Sequence, residues 1–361
     1  MRKFRVLPVI LLWAGLILFA WFGGTESFSD AERRPLAQLP QLSTDKVLNG
    51  SFMEDFEDYS LDQFPARDVF RGIKSRFHSY VLRMLDNNGI YIADGYAAQL
   101  EYPLDEGSVA HALERFGKLY EKYLMDSKVY MAIVPDKGYY LAEDSGHLAM
   151  DYEAMFDRFR EGMPWAEQID LRDVLTLEDY YRTDTHWRQE NLLEAAGVIC
   201  DALGVKKPEA GDFTLQTLAK PFYGVYYGQA ALPMEPETLS YLESQWLKNC
   251  TVYDYESGKT GSVYDMTKAE GKDLYEIFLS GPKSLLTIEN PNGIAGKELI
   301  VFRDSFGSAM VPLILEDYET VTVVDIRYIQ MDVLDRFVDF HGQDVLLLYS
   351  TLVLNNSETI K

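Results

Sequence analysis

The chain has 361 residues, 47% hydrophobic and 25% charged, with 34 basic against 57 acidic side chains and a formal net charge of −23. These proportions belong to a globular protein with ample apolar surface for a core, and they exclude a disordered chain. So acidic a balance excludes nucleic acid as a partner, because its phosphates repel the protein.

Arg2, Lys3 and Arg5 precede an uncharged apolar run over 6–22. Such a run suits a single membrane span, and the basic flank stays inside and sends the remainder out. A cleaved secretory signal is the alternative. The run exceeds the usual core of a signal and lacks a small-x-small site before Gly23, so residues 1–23 are read as an N-terminal transmembrane helix. Either way the body is expected outside the cytoplasm. Residues 24–64, charged and carrying Pro35 and Pro40, read as a stalk ahead of one domain over 65–361.

Val69, Phe70, Ile73, Phe77, Val81 and Leu85 recur at helical spacing and predict a helix over 68–85, ended by Asn87, Asn88 and Gly89. A strand at 90–92 follows, then a helix over 108–124 with Ser108 as its N-cap. The continuous apolar run 129–134, stopped by Pro135, has the signature of a strand buried on both faces. A helix over 152–161, a strand near 169, and the segment Asp184-Thr-His186-Trp187 come next; that segment feeds a helix to about 201, closed by Gly204. Residues 205–283 lose helical periodicity and read as an inserted, partly β region, with strand-like stretches at 214–218 and 251–255. Strands at 285–288, 299–302, 321–324 and 345–348 restore the rhythm, with helices at 307–315 and 330–340 between the last three. Strands alternating with helices predict an α/β sandwich with a mainly parallel sheet.

Neither Cys200 nor Cys250 has metal-ligand spacing, and no other metal motif is present. Cys200 falls on an apolar helical stripe and reads as a buried thiol, with a Cys200–Cys250 disulfide the alternative outside the cytoplasm.

Residues 298–310 read as a strand, a tight turn carrying Ser305, and a helix. A side chain at the carboxyl end of a parallel strand enters the crevice where such proteins bind ligands, and the following helix offers free N–H groups to a developing oxyanion. The plain alternative is a helix-capping serine. Of the five histidines, His78, His111, His147, His186 and His341, His186 alone has a carboxylate two residues away on the same face of an extended segment. Asp184 can hold one imidazole nitrogen of His186 and leave the other as a base for Ser305. Arg303 occupies the first glycine position of a Gly-x-Ser-x-Gly elbow, which argues against an α/β-hydrolase.

Asp184-Thr-His186-Trp187 followed by Arg303-Asp304-Ser305-Phe306 resembles the bacterial DHHW proteins and the related alginate O-acetyltransferase group, which are SGNH-hydrolase-like. The resemblance extends to Gln63-Phe-Pro-Ala-Arg-Asp68, Asn88-Gly-Ile-Tyr91, Phe222-Tyr-Gly224, Leu279-Ser-Gly281 and Val324-Asp-Ile-Arg327-Tyr328. It implies an SGNH-like three-layer sandwich, Ser305 as nucleophile, His186 as base and Asp184 as its orienter. It further implies an acetyl group delivered by a multi-pass membrane-bound O-acyltransferase, a polysaccharide acceptor, and no cofactor beyond the donated acyl group. Thr185 stands where the name-giving motif has a second histidine, so any role of that histidine is absent. The Ser305 N–H is the first candidate oxyanion donor, Gly224 or Gly281 the second. Arg327 and Tyr328 follow a core strand and either line the same crevice or simply end it. The expected activity is O-acetyl transfer to a cell-surface or secreted glycan. A carbohydrate acetyl esterase is the alternative, as is a non-catalytic subunit binding glycan through Tyr223, Tyr226, Tyr227 and Trp246.

Overall fold

The computed structural model describes residues 7–8, 10–15, 18, 25–29 and 31–361. The expected membrane anchor falls largely outside the described residues, and among those described no helix is long and apolar enough to cross a membrane. The chain divides into two compact units, Met1–Asn88 with Val225–Met234, and Gly89–Gly224 with Glu235–Lys361. The boundary therefore falls later than residue 65, and ten residues of the inserted region group with the N-terminal unit.

In the first unit the segment expected as a stalk carries two helices. Ser43 caps Thr44–Leu48 by accepting from the Lys46 N–H, and Ser51–Asp62 follows. The helix Arg67–Arg76 continues through a wider turn at Phe77–Val81. Its polar side faces inward: Arg71 donates to the Gly228 carbonyl at 2.8 Å and Ser75 to that of Ala230 at 2.7 Å. Arg67 and Arg71 both pair with Glu32. Only glycine fits at 228, since a Cβ there would stand 1.6 Å from the Ala31 carbonyl oxygen.

The second unit is built on an eight-stranded sheet: β1 (Val129–Val134), β2 (Ala166–Ile169), β3 (Thr251–Asp254), β4 (Lys259–Gly261), β5 (Leu285–Glu289), β6 (Ile294–Arg303), β7 (Tyr318–Val324) and β8 (Asp344–Ser350). In space they run β4-β3-β5-β7-β6-β8-β1-β2. From β7 to β2 every pairing is parallel; β5, β3 and β4 extend the edge antiparallel. Part of the inserted region thus completes the sheet rather than standing apart from it.

Strand residues alternate between two separate cores. Tyr130, Ala132, Val134, Leu299, Val301, Leu346 and Leu348 join one, with Ile199 and Cys200 of the helix Leu193–Leu203 and Met310 of the helix Gly307–Ile314. Val129, Met131, Ile133, Ile300, Phe302, Val345 and Leu347 join the other, with Phe116 of Glu106–Leu119 and Phe159 of Tyr152–Gly162. Helices on both faces make three layers, which is why these strands read as unbroken apolar runs.

Two local expectations are corrected, and the reading of Cys200 as a buried thiol holds. The helix expected from Ser108 is capped by Asp105, while the Ser108 hydroxyl donates to Leu354. The helix expected at 330–340 is a short 3-10 turn, Met331–Arg336, enough to bury Met331 and Leu334. Cys200 and Cys250 are free thiols, each buried and pushed up to about 12 by burial.

Candidate active site

Strand β6 runs into the turn that carries Ser305, and that turn is tied down by its neighbours. Asp304 is fully buried; one oxygen accepts the Phe306 N–H at 3.0 Å, the other the Ser350 N–H at 2.7 Å and hydroxyl at 2.6 Å. This fixes the serine turn to the end of β8. Beneath it lies the buried Arg303, whose guanidinium donates to the carbonyls of Asp304 and Gly281, each at 3.3 Å, and stands 3.6 Å from Asp325. Burial holds that guanidinium below its ordinary pKa. Gly307 is required where the helix crosses this side chain, since a Cβ would lie 2.6 Å from that of Arg303.

Asp184 and His186 sit in a hairpin turn. Tyr180 bridges Trp187, and the Tyr181 N–H donates to the His186 carbonyl at 3.0 Å. Two buried charges clamp the turn. The Glu237 carboxylate accepts the N–H groups of Arg182 and Thr183 at 2.9 and 2.8 Å and the Thr183 hydroxyl at 2.8 Å. Lys137 donates to the Tyr181 carbonyl at 2.8 Å. Burial pushes this ammonium down to about 7, opposed by the carboxylates of Asp184, Glu237 and Asp136. Lys137 follows Asp136 at the carboxyl end of β1. Asp136 accepts the Thr351 hydroxyl at 2.7 Å, and burial pushes its carboxyl up to about 6.

Against this frame the fully buried Asp184 accepts from His186 Nδ1 at 2.6 Å, and His186 Nε2 lies 2.8 Å from Ser305 Oγ. A carboxylate on Nδ1 keeps the proton there and leaves Nε2 basic. The Tyr275 ring stacks on the imidazole at 3.9 Å between centroids and 10° between planes. The Trp187 indole N–H donates to the Phe306 carbonyl at 3.1 Å, joining the histidine hairpin to the serine turn directly. Asp184 is sequestered while Ser305 keeps partial exposure, so a substrate can reach the hydroxyl but water has little access to the carboxylate. Such an arrangement can activate a serine hydroxyl for attack on an acyl carbon.

The other residues singled out by sequence fall differently. The Gly224 N–H donates to Thr183 Oγ1 at 3.0 Å, and that of Gly281 to the Phe278 carbonyl at 3.1 Å, so both are committed away from an oxyanion. Gly224 is instead a packing point: a Cβ would stand 2.3 Å from the Asp184 backbone. Among the described residues the Ser305 N–H has no acceptor. Arg327 is held in a two-pronged pair by Asp325 at 2.9 and 2.7 Å, with Tyr328 exposed beside it. Of the four aromatics considered for glycan binding, Tyr226 is buried, Tyr227 and Trp246 are half-buried, and Tyr223 is exposed. Sequence reasoning missed Lys137, Glu237 and Tyr275. None lies in a motif, and each meets the hairpin only through the tertiary fold.

A family model described as DHHW protein matches residues 171–324, the stretch holding Asp184, His186 and Ser305. The resemblance read from the motifs is thus shown by an independent match. A DHHW family protein from Eubacterium siraeum is 24% identical, with a TM-score of 0.62 over 76% of this chain and 95% of that one. PatB1 from Bacillus cereus, solved with a sulfonyl adduct, is 18% identical, with a TM-score of 0.59 over 73% of this chain and 97% of that one. The O-acetyltransferase domain of AlgJ from Pseudomonas putida is 13% identical, with a TM-score of 0.43 over 74% of this chain and 92% of that one. No curated protein matches the chain. With the first two structures this chain shares a mixed α/β fold on a large, mostly parallel sheet.

Proposed function

We propose that this chain is an extracytoplasmic O-acetyltransferase, acting on a cell-surface or secreted polysaccharide through Ser305, His186 and Asp184. The observation that carries the reading is the continuous hydrogen-bonded line from a buried carboxylate through the imidazole to a reachable hydroxyl, with steps of 2.6 and 2.8 Å. His186 Nε2 takes the Ser305 proton as Oγ bonds to the acetyl carbon, and the Ser305 N–H faces the developing oxyanion. The tetrahedral centre collapses, and the leaving oxygen of the donor departs with the proton from His186. A glycan hydroxyl then attacks the acetyl-serine while passing its proton to His186, and Ser305 recovers that proton as it is released. Asp184 stabilises the imidazolium at both stages.

In this reading a multi-pass membrane-bound O-acyltransferase supplies the acetyl group, and the N-terminal apolar segment keeps the site near the bilayer. Water in place of the glycan hydroxyl turns the second half into hydrolysis, and the partial exposure of Ser305 favours keeping the esterase as the second reading. The test incubates the purified protein with an activated acetyl ester and follows intact mass and product release. Acetyl-serine should accumulate on the native protein and not on Ser305→Ala. Added oligosaccharides that shorten its lifetime and become acetylated identify the transferase. Release unaffected by any acceptor identifies the esterase, and equal activity of Ser305→Ala sinks the assignment.

A further inference from the structure

The helix Arg67–Arg76 and its continuation present their amphipathic faces the wrong way round for a soluble protein. The side that turns inward carries Arg71 and Ser75, bonded to the carbonyls of Gly228 and Ala230. The apolar stripe that normally forms a core faces outward. Ile73 is 55% exposed, Phe77 51% and Tyr80 71%, with Val69, Phe70, Val81, Leu82, Met84 and Leu85 exposed alongside. A contiguous apolar face of this kind marks an interaction surface.

Its charge indicates the occupant. Residues 67–85 hold five basic side chains and one acidic, in a chain of net charge −23; Arg67 and Arg71 pair with Glu32, which leaves three cations for the outward face. Lys74, Arg76 and Arg83 are exposed at the margins of the stripe. We propose that this face lies in the headgroup–acyl boundary of an anionic bilayer, apolar side chains down and basic ones toward the lipid phosphates. Phe70, Phe77 and Tyr80 supply the aromatic side chains that settle at that depth, and a cationic amphipathic helix is drawn to anionic lipid. A second copy fits less well, because a two-fold contact sets the same cations against one another. The uncharged run over 6–22, earlier in the same chain, is a second apolar segment fit for lipid. The inference does not depend on the acetyl-transfer reading.

The test places single nitroxide labels on the full chain at Ile73→Cys, Phe77→Cys and, as an exposed reference, Lys118→Cys. Cys200 and Cys250 are buried and compete little for the label. After reconstitution into phosphatidylglycerol-containing vesicles, collision rates with oxygen and with a water-soluble nickel chelate are compared. Labels at 73 and 77 should meet oxygen far more often than nickel, with the reverse at 118. Lys74→Glu, Arg76→Glu and Arg83→Glu combined should return both labels toward nickel. Labels at 73 and 77 as open to nickel as at 118 overturn the proposal. So does shielding from both reagents at every protein-to-lipid ratio, which assigns the face to a protein partner.

Discussion

Asp184→Asn removes one charge from the site and almost no volume. In the native arrangement Asp184 Oδ2 stands 2.6 Å from His186 Nδ1 and also accepts the His186 N–H at 3.3 Å. When Nε2 takes the serine proton, imidazolium and carboxylate face each other with charge centres roughly 4 Å apart, worth about 4 kcal/mol at an effective dielectric near 20. Losing that term slows acylation about 10³-fold. An asparagine that turns its NH₂ toward Nδ1 moves the ring proton to Nε2 and disables the base, carrying the loss toward about 10⁴-fold. That rotamer gives up only the long 3.3 Å bond from the His186 N–H, and the side chain still fits beside Gly224, so the fold should persist. The assay is the rate of acetyl-serine formation by quenched-flow mass spectrometry, with Ser305→Ala as the floor and circular dichroism as the check on folding. A folded Asp184→Asn that acylates within about tenfold of the native rate would refute the idea that this carboxylate supports the base.

Lys137→Met removes a buried ammonium pushed down to about 7 from an ordinary 10.5. Between those values the unfolded chain holds a proton that the folded one has lost. Native stability should therefore rise with pH relative to the variant, by up to about 1.4 kcal/mol per unit, in paired urea unfolding from pH 7 to 9; a constant difference counts against it. Ser350→Ala deletes the hydroxyl bonded to Asp304 at 2.6 Å but keeps the N–H at 2.7 Å. It should cost about 2 kcal/mol in calorimetry, with acylation near the native rate because the Ser350 N–H still holds Asp304. Gly224→Ala drives a methyl to 2.3 Å from the Asp184 backbone, whereas Gly211→Ala meets nothing within 4 Å. The first should lose about 1–3 kcal/mol of stability and most of its activity, and the second should match the native protein in both.

The parallel half of the sheet was legible because its strands are covered on both faces. Val129–Val134 alternates between two cores, and only an uninterrupted apolar run can satisfy both. Asp184, His186 and Ser305 were legible because local spacing and a strand-turn-helix pattern carry the chemistry. Glu237 was not: a single carboxylate in an irregular segment gives no periodic signal, and its importance lies in two backbone N–H groups more than fifty residues away. Tyr275 is hidden for the same reason. The stripe over 68–85 had the correct period, but periodicity cannot say whether an apolar face turns inward or outward. Ser108 is not the cap because the helix begins earlier: Asp105 caps it by accepting the Ser108 N–H, which places Ser108 inside the first turn.

The serine turn and the histidine hairpin are connected twice. One route is the reacting contact from Ser305 to His186, beside the Trp187–Phe306 bond. The other crosses the strand ends from Asp304 to Ser350, along the chain to Thr351, on to Asp136, and from Lys137 to the Tyr181 carbonyl. Together they form a closed mechanical linkage, with each route bracing the other. In an open linkage each removed strut adds its own slack, whereas a closed one tolerates its first cut and fails at the second. Thr351→Val and Trp187→Phe should therefore each leave the spacing between base and hydroxyl nearly intact. Their combination should release it, with a rate loss well beyond the product of the two.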